Sequence, residues 1–187
     1  MQREELIREI ESLGAYRAAW VEGDQIALSA SFRTLCEQNS CGVYGKCWVC
    51  PPACGEIEAL MARVRSYPGG ILYQTVGRLE DSFDIEGMIA ARRTHEALSR
   101  KIEEALWEEF GPGRLHLSVG GCTLCEKCTY PEGLPCRFPE KALLSLEACG
   151  VDVYQTTKDT PLKYINGQNT VTYFGLILYG QEHPWPL

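Results

Sequence analysis

The sequence has no dense run of lysine or arginine, and its net charge is −7. Affinity for DNA or RNA depends on clustered cations that neutralise phosphates, so a nucleic-acid partner is not expected. No apolar stretch is long enough to span a bilayer, which argues against a membrane protein. Met1 to Glu11 is charged and lacks the apolar core of a signal peptide, so the expected location is the cytoplasm. There is no GxGxxG or GxxxxGK[ST] loop, and nucleotide binding has no support. Only three histidines occur, scattered at His95, His116 and His183, and no Ser/His/Asp arrangement is readable.

Against these absences stand ten cysteines in 187 residues. A reducing compartment keeps thiols free, and a chain of this length needs no disulfides to hold its core. Clustered cytosolic thiols point instead to metal. Hydrophobic residues make up 45% of the chain and charged residues 23%, an ordinary globular balance.

Periodicity places elements around those cysteines and predicts a mixed α+β fold. One sheet with flanking helices carries metal-cluster loops at strand ends, within a single domain over residues 1–187. Leu6, Ile10 and Leu13 predict a helix over 2–13. Trp20 to Ile26 reads as a hairpin turned at Gly23-Asp24, with Ile26, Leu28, Ala30 and Phe32 alternating in its second strand. Helices are expected at 56–66 and 84–110, with strands at 71–76 and 115–119. That strand–helix–strand order favours a parallel crossover. A short helix is expected from Pro139 to Cys149, a strand at 151–154, and a hairpin of 162–165 with 171–179 around Asn166-Gly167.

The second cysteine group, in the loop 120–137, is Cys122-x2-Cys125-x2-Cys128 followed by Cys136. Three thiols at intervals of three can reach three corners of one cubane, which is ferredoxin-type spacing; zinc sites are more typically two separate C-x2-C pairs. Gly120-Gly121 lets the backbone approach the inorganic core. Cys136 is assigned as the fourth ligand. The first group, in the loop 36–54, is Cys36-x4-Cys41-x5-Cys47-x2-Cys50-x3-Cys54. Five thiols exceed the need of one site. Pro51 follows Cys50 as in ferredoxin loops, and Gly42 and Gly45 allow a tight path between ligands. Cys47, Cys50 and Cys54 run opposite to the radical-SAM order, which argues against that chemistry. Cys149 ends an apolar segment and reads as a buried hydrophobe.

Tyr44, Trp48 and Tyr130 flank cysteines and are expected to shield a cluster from water. Lys46, Lys127 and Arg137 would favour a reduced, more negative cluster, or are simply solvated. His95 and His116 read as packing or surface residues. Ser145 and Glu147 either line a site or bond locally.

Cys36…Cys41-Gly42-x-Tyr44-Gly45…Trp48-x-Cys50-Pro51-Pro52 resembles the N-terminal signature of a family of predicted metal-binding proteins, domain of unknown function 2284. Gly121-Cys122-Thr-Leu-Cys125-x-x-Cys128, Pro135-Cys136-Arg137-x-Pro139 and Ser145-Leu-Glu147-Ala-Cys149-Gly150 resemble its C-terminal half, and the likeness runs from about residue 30 onward. The resemblance implies a metal or iron–sulfur protein of the kind common in anaerobes, without implying a reaction. It makes Cys36, Cys41 and Cys50 the family-like members of the first group. Cys47 or Cys54 then supplies a fourth ligand, or one iron stays open. The expected function is a carrier of two [4Fe-4S] clusters that passes electrons to a redox partner protein. An enzyme binding substrate at an open iron is one alternative, and a zinc-stabilised interaction module is another; a catalytic residue is not identifiable.

Overall fold

The structure, a computed structural model, describes residues 1–180, so the tail that carries His183 lies outside the described residues. In chain order the elements are α1 (Arg3–Leu13), β1 (Arg17–Glu22), α2 (Ser31–Glu37), α3 (Ile57–Arg65) and β2 (Gly69–Arg78). After them come α4 (Ile85–Phe110), β3 (Leu115–Ser118), β4 (Leu144–Ser145), α5 (Val153–Thr157) and β5 (Thr170–Tyr179). The strands form one sheet in the order β1-β2-β5-β3-β4. The fold is mixed α+β, one sheet with flanking helices. No helix among the described residues is long and apolar enough to cross a membrane.

Period-two alternation sorts the sheet's side chains between two cores. Ile71, Tyr73 and Ile177 pack with Leu6 and Ile10 of α1 and with Leu98, Ile102, Leu106 and Phe110 of α4. The α4 residues recur every four positions and line one face of the helix. Burial of each such side chain stabilises the fold by roughly 1.5–3 kcal/mol. Leu72, Leu176 and Leu178 point the other way, onto Leu60 and Val64 of α3 and onto Leu146, Cys149 and Val151. Cys54 of the first cysteine loop and Leu144 pack against this second core. In α4 the apolar pattern begins earlier than the buried stripe does: Ile85 and Ile89 are exposed, and burial starts at His95.

A chain of polar contacts crosses the sheet within the first core. The Tyr73 hydroxyl lies 2.6 Å from Ser99 Oγ and 2.8 Å from His116 Nε2. Ser99 Oγ in turn lies 2.9 Å from Ser118 Oγ. His116 Nδ1 lies 2.9 Å from Glu103 Oε2, while Arg114 donates to Glu103 Oε1. An ionised carboxylate only accepts, so the Nδ1 of His116 carries the hydrogen; in the neutral ring Nε2 accepts from Tyr73. Burial pushes Glu103 upward, but the hydrogen bonds and charges of His116 and Arg114 outweigh it and hold the carboxyl below its ordinary value.

Several expectations are corrected. The turn after β1 is a short 3-10 turn, Gly23–Gln25, and β1 pairs with β2 rather than with residues 26–32. Only Leu28 makes an isolated bridge, to Val151, and the predicted second strand gives way to α2. The helix expected from Pro139 to Cys149 does not form, because Leu144 and Ser145 pair in parallel with Leu117 and Ser118; a 3-10 turn, Glu147–Cys149, follows. Of residues 151–154, only Val151 makes a β-bridge, to Leu28; Val153 begins a helix capped by the Asp152 carboxylate, which accepts from Gln155 N, rather than a strand. No strand forms at 162–165, so β5 has no hairpin partner there; it inserts between β2 and β3, antiparallel to both. β2 and β3 are therefore parallel, as the crossover predicts, but not adjacent.

Candidate metal centre

The second cysteine group leaves the C-terminal end of β3, as predicted, whereas the first leaves α2, a helix, with Cys36 still inside it. Its path to Cys54 is a series of tight turns. Gly42 and Gly45 take φ of 75° and 66°, and Gly45 N donates to Pro51 O at 2.8 Å. A side chain is strained in that left-handed region, which explains glycine at both places.

The fold brings the two groups together. Cys47, Val49 and Cys50 form a small core against Cys122 and Cys128, with Val43, Ala142 and Leu144 around them. A Cβ on Gly121 would sit 3.3 Å from Val43 Cγ2, so the second loop passes close to the first at that glycine. The Trp48 Nε1–H reaches across to Leu134 O at 3.2 Å and Thr129 Oγ1 at 3.3 Å. Thr129 itself donates to Pro135 O at 2.8 Å. Thr123 at the start of the second loop donates to Glu96 of α4 at 2.8 Å, tying that loop to the helix.

All ten cysteines are free thiols. Cys122, Cys125, Cys128 and Cys136 line one small cavity with Trp48, Val49 and Phe138. In the first group Cys47 and Cys50 are buried, Cys36 and Cys54 half-buried and Cys41 exposed. Cys149 is fully buried in the second core beside Leu146 and Val151, consistent with a hydrophobic role. Among the described residues, no three or more Cys, His, Asp or Glu side chains gather closely enough to hold a metal ion. Thiol chemistry and the shared cavity suit a metal, while a formed coordination shell is not seen.

Thiol electrostatics differ sharply across the site. A hydrogen bond from Cys50 lowers Cys47 from its ordinary 9.0 to about 6, helped by the backbone N–H of Cys122. Cys50, the partner that keeps the proton, is pushed strongly upward by the same contact. Burial raises Cys36, Cys122 and Cys149, the last to about 12. Burial also lifts Cys54 to about 11, and the Arg33 charge opposes it.

Arg33 was not singled out from sequence. It lies one helical turn before Cys36, donates to Gly55 O at 2.7 Å, and acts on Cys36, Cys54 and Cys149 together. The i, i+3 spacing of Arg33 and Cys36 was the available signal, hidden because residues 26–32 read as a strand. Lys127 pairs with Glu132 at 3.0 Å, and Arg137 donates to Lys127 O at 2.9 Å, so both cations brace the second loop. Ser145 Oγ accepts from Ala148 N at 3.1 Å, a local bond, and burial raises the Glu147 carboxyl above its ordinary value although Ser145 also donates to it. His95 and His116 are fully packed inside the protein rather than on its surface.

No curated protein and no solved structure matches the chain. A family model does match, over residues 19–179, and its description is predicted metal-binding protein, domain of unknown function 2284.

Proposed function

This chain belongs to that family of predicted metal-binding proteins, and from that premise we propose that it carries two [4Fe-4S] clusters, one on each cysteine group, and relays electrons to a partner redox protein in the cytoplasm. The observation that carries the reading is the single cavity shared by Cys122, Cys125, Cys128 and Cys136 behind ferredoxin-type spacing. On this reading those four cysteines hold one cluster. Cys36, Cys41 and Cys50 hold the other, with Cys47 or Cys54 as the fourth ligand. Bound there, the clusters supply one-electron chemistry. The chain's own part is to keep water out with Trp48 and Tyr130 and to place the Arg33 charge beside the first group. A net charge of −7 suits docking to a basic patch on the partner.

A second reading makes the first group's cluster a substrate site with one open iron. It is favoured by the exposure of Cys41 and by five thiols where four suffice. Replacing Cys47 and Cys54 by serine, one at a time, separates the two readings. If neither change alters cluster content, the open-iron reading gains; loss from either one names the fourth ligand.

The first experiment is iron, acid-labile sulfide and zinc content on protein purified without oxygen, with visible spectra before and after dithionite. About eight irons and eight sulfides per chain, at four per cubane, with absorption bleached by reductant, are expected. A colourless protein loaded with zinc would overturn the electron-transfer reading and leave a module in which metal contributes to folding.

A further inference from the structure

A cleft of about 820 Å³ opens beside the cysteine loops, within the size range of sites for organic ligands. Cys54 of the first group and Cys136 of the second both line it. Its walls are mainly apolar, with Trp48, Leu60 and Leu144 among them. The charges that reach it divide by pairing. Arg114 is bound to Glu103 and stacks its guanidinium 3.3 Å from the Trp107 ring centroid, so both of those charges are satisfied. Glu140 is exposed and solvated.

Arg63 differs. It projects from α3, half-buried, and forms no ion pair among the described residues. Its guanidinium meets the Tyr67 hydroxyl, but its Nε is buried with no hydrogen-bond partner. Arg63 lines the cleft, and a guanidinium's planar fork matches a carboxylate.

We propose that this cleft binds a small organic carboxylate with an aromatic or otherwise apolar body, the carboxylate on Arg63 and the body along the apolar walls. Such a ligand lies against one cysteine of each group. The proposal does not rest on which metal those cysteines hold.

The test is calorimetric titration of the anaerobically purified, metal-containing protein with naphthalene-2-carboxylate, and separately with the neutral naphthalene-2-carboxamide. The carboxylate should bind at least about tenfold more tightly, the scale of one charge-assisted contact. Arg63→Ala should bring the carboxylate down to the level of the amide, and Arg63→Lys should recover part of the difference. Ala59→Trp, at an exposed position lining the cleft, should abolish binding of both compounds with the circular dichroism unchanged. Equal affinity for the two compounds in the unaltered protein, no saturable binding of either, or full carboxylate binding in Ala59→Trp would overturn the proposal. Should Arg63→Ala fail to fold, the comparison of acid with amide and the Ala59→Trp result still decide it. Zinc in place of iron would sink the proposed function and leave this one standing.

Discussion

Trp48 meets Tyr130 edge-on, with ring centroids 5.0 Å apart, so an aromatic pair clasps the first cysteine loop to the second. The same indole donates to Leu134 O, which adds a hydrogen bond to the packing. The clasp makes each loop's position depend on the other. Trp48→Phe keeps a ring at the contact but removes the donor, a loss of about 1 kcal/mol. Both groups should then release metal to a chelator faster than in the unaltered protein. An unchanged release rate would mean that the two loops hold metal independently.

Cys125 and Cys149 should behave as opposites. Cys125 faces the cavity of the second group, whereas Cys149 is packed in the hydrophobic core. Cys125→Ser is expected to remove about four irons per chain, one cluster's worth, while Cys149→Ala leaves metal content intact and costs only packing energy. Metal analysis of the two purified variants checks this. Equal metal loss in both would make Cys149 a ligand and reverse its assignment.

His95 should make the protein acid-sensitive. It is wholly buried, and burial holds its pKa down to about 3 against an ordinary 6.5, with the nearby His116 acting in the same direction. Between those values the unfolded chain binds a proton that the folded one does not. Stability is therefore complete above 6.5 and falls as pH drops toward 3. The slope from this residue is about 1.4 kcal/mol per pH unit. His95→Gln keeps a polar group for Thr75 and should flatten the slope in urea unfolding across that range, whatever it does to stability at neutral pH. A slope the same as that of the unaltered protein would place the acid sensitivity elsewhere.

Gly175 lies directly across the β2–β5 ladder from Tyr73, and a Cβ there would collide with the Tyr73 ring. The tyrosine occupies the place of the missing side chain while its hydroxyl binds Ser99 and His116. Gly175→Ala should cost about 1–3 kcal/mol by overpacking. Thermal denaturation of the variant, with a conservative substitution at exposed Gln168 as control, would show it; a melting temperature matching the control would mean that the ring moves aside freely.

The parts of the fold legible in sequence were those whose pattern is local. The stripe Leu98, Ile102, Leu106 and Phe110 marks α4 without reference to anything else, and Ile57, Leu60, Met61 and Val64 do the same for α3. The misreadings share a cause: a distant partner overrode a local signal. Gly23-Asp24 resembles a hairpin turn, yet β1 finds β2 about fifty residues later. The residues after Pro139 resemble a helix start, yet Leu144 is taken by β3. The cysteine spacings were readable, but the contact of Cys47 and Cys50 with Cys122 was not, because nothing in either spacing refers to the other loop. Arg63 was equally silent, since a lone arginine on an amphipathic helix looks solvated until the cleft around it is seen.

The sheet order has a consequence for synthesis. Among the described residues β5 is the last strand in sequence and the central one in space, so β1–β2 and β3–β4 have no ladder joining them until residues 170–179 exist. Every cysteine precedes that strand. On the ribosome the thiols therefore emerge on two halves that no strand ladder yet joins. A factor delivering metal during translation would meet the two loops before the sheet that carries them is closed; one acting after release would meet them on the finished sheet.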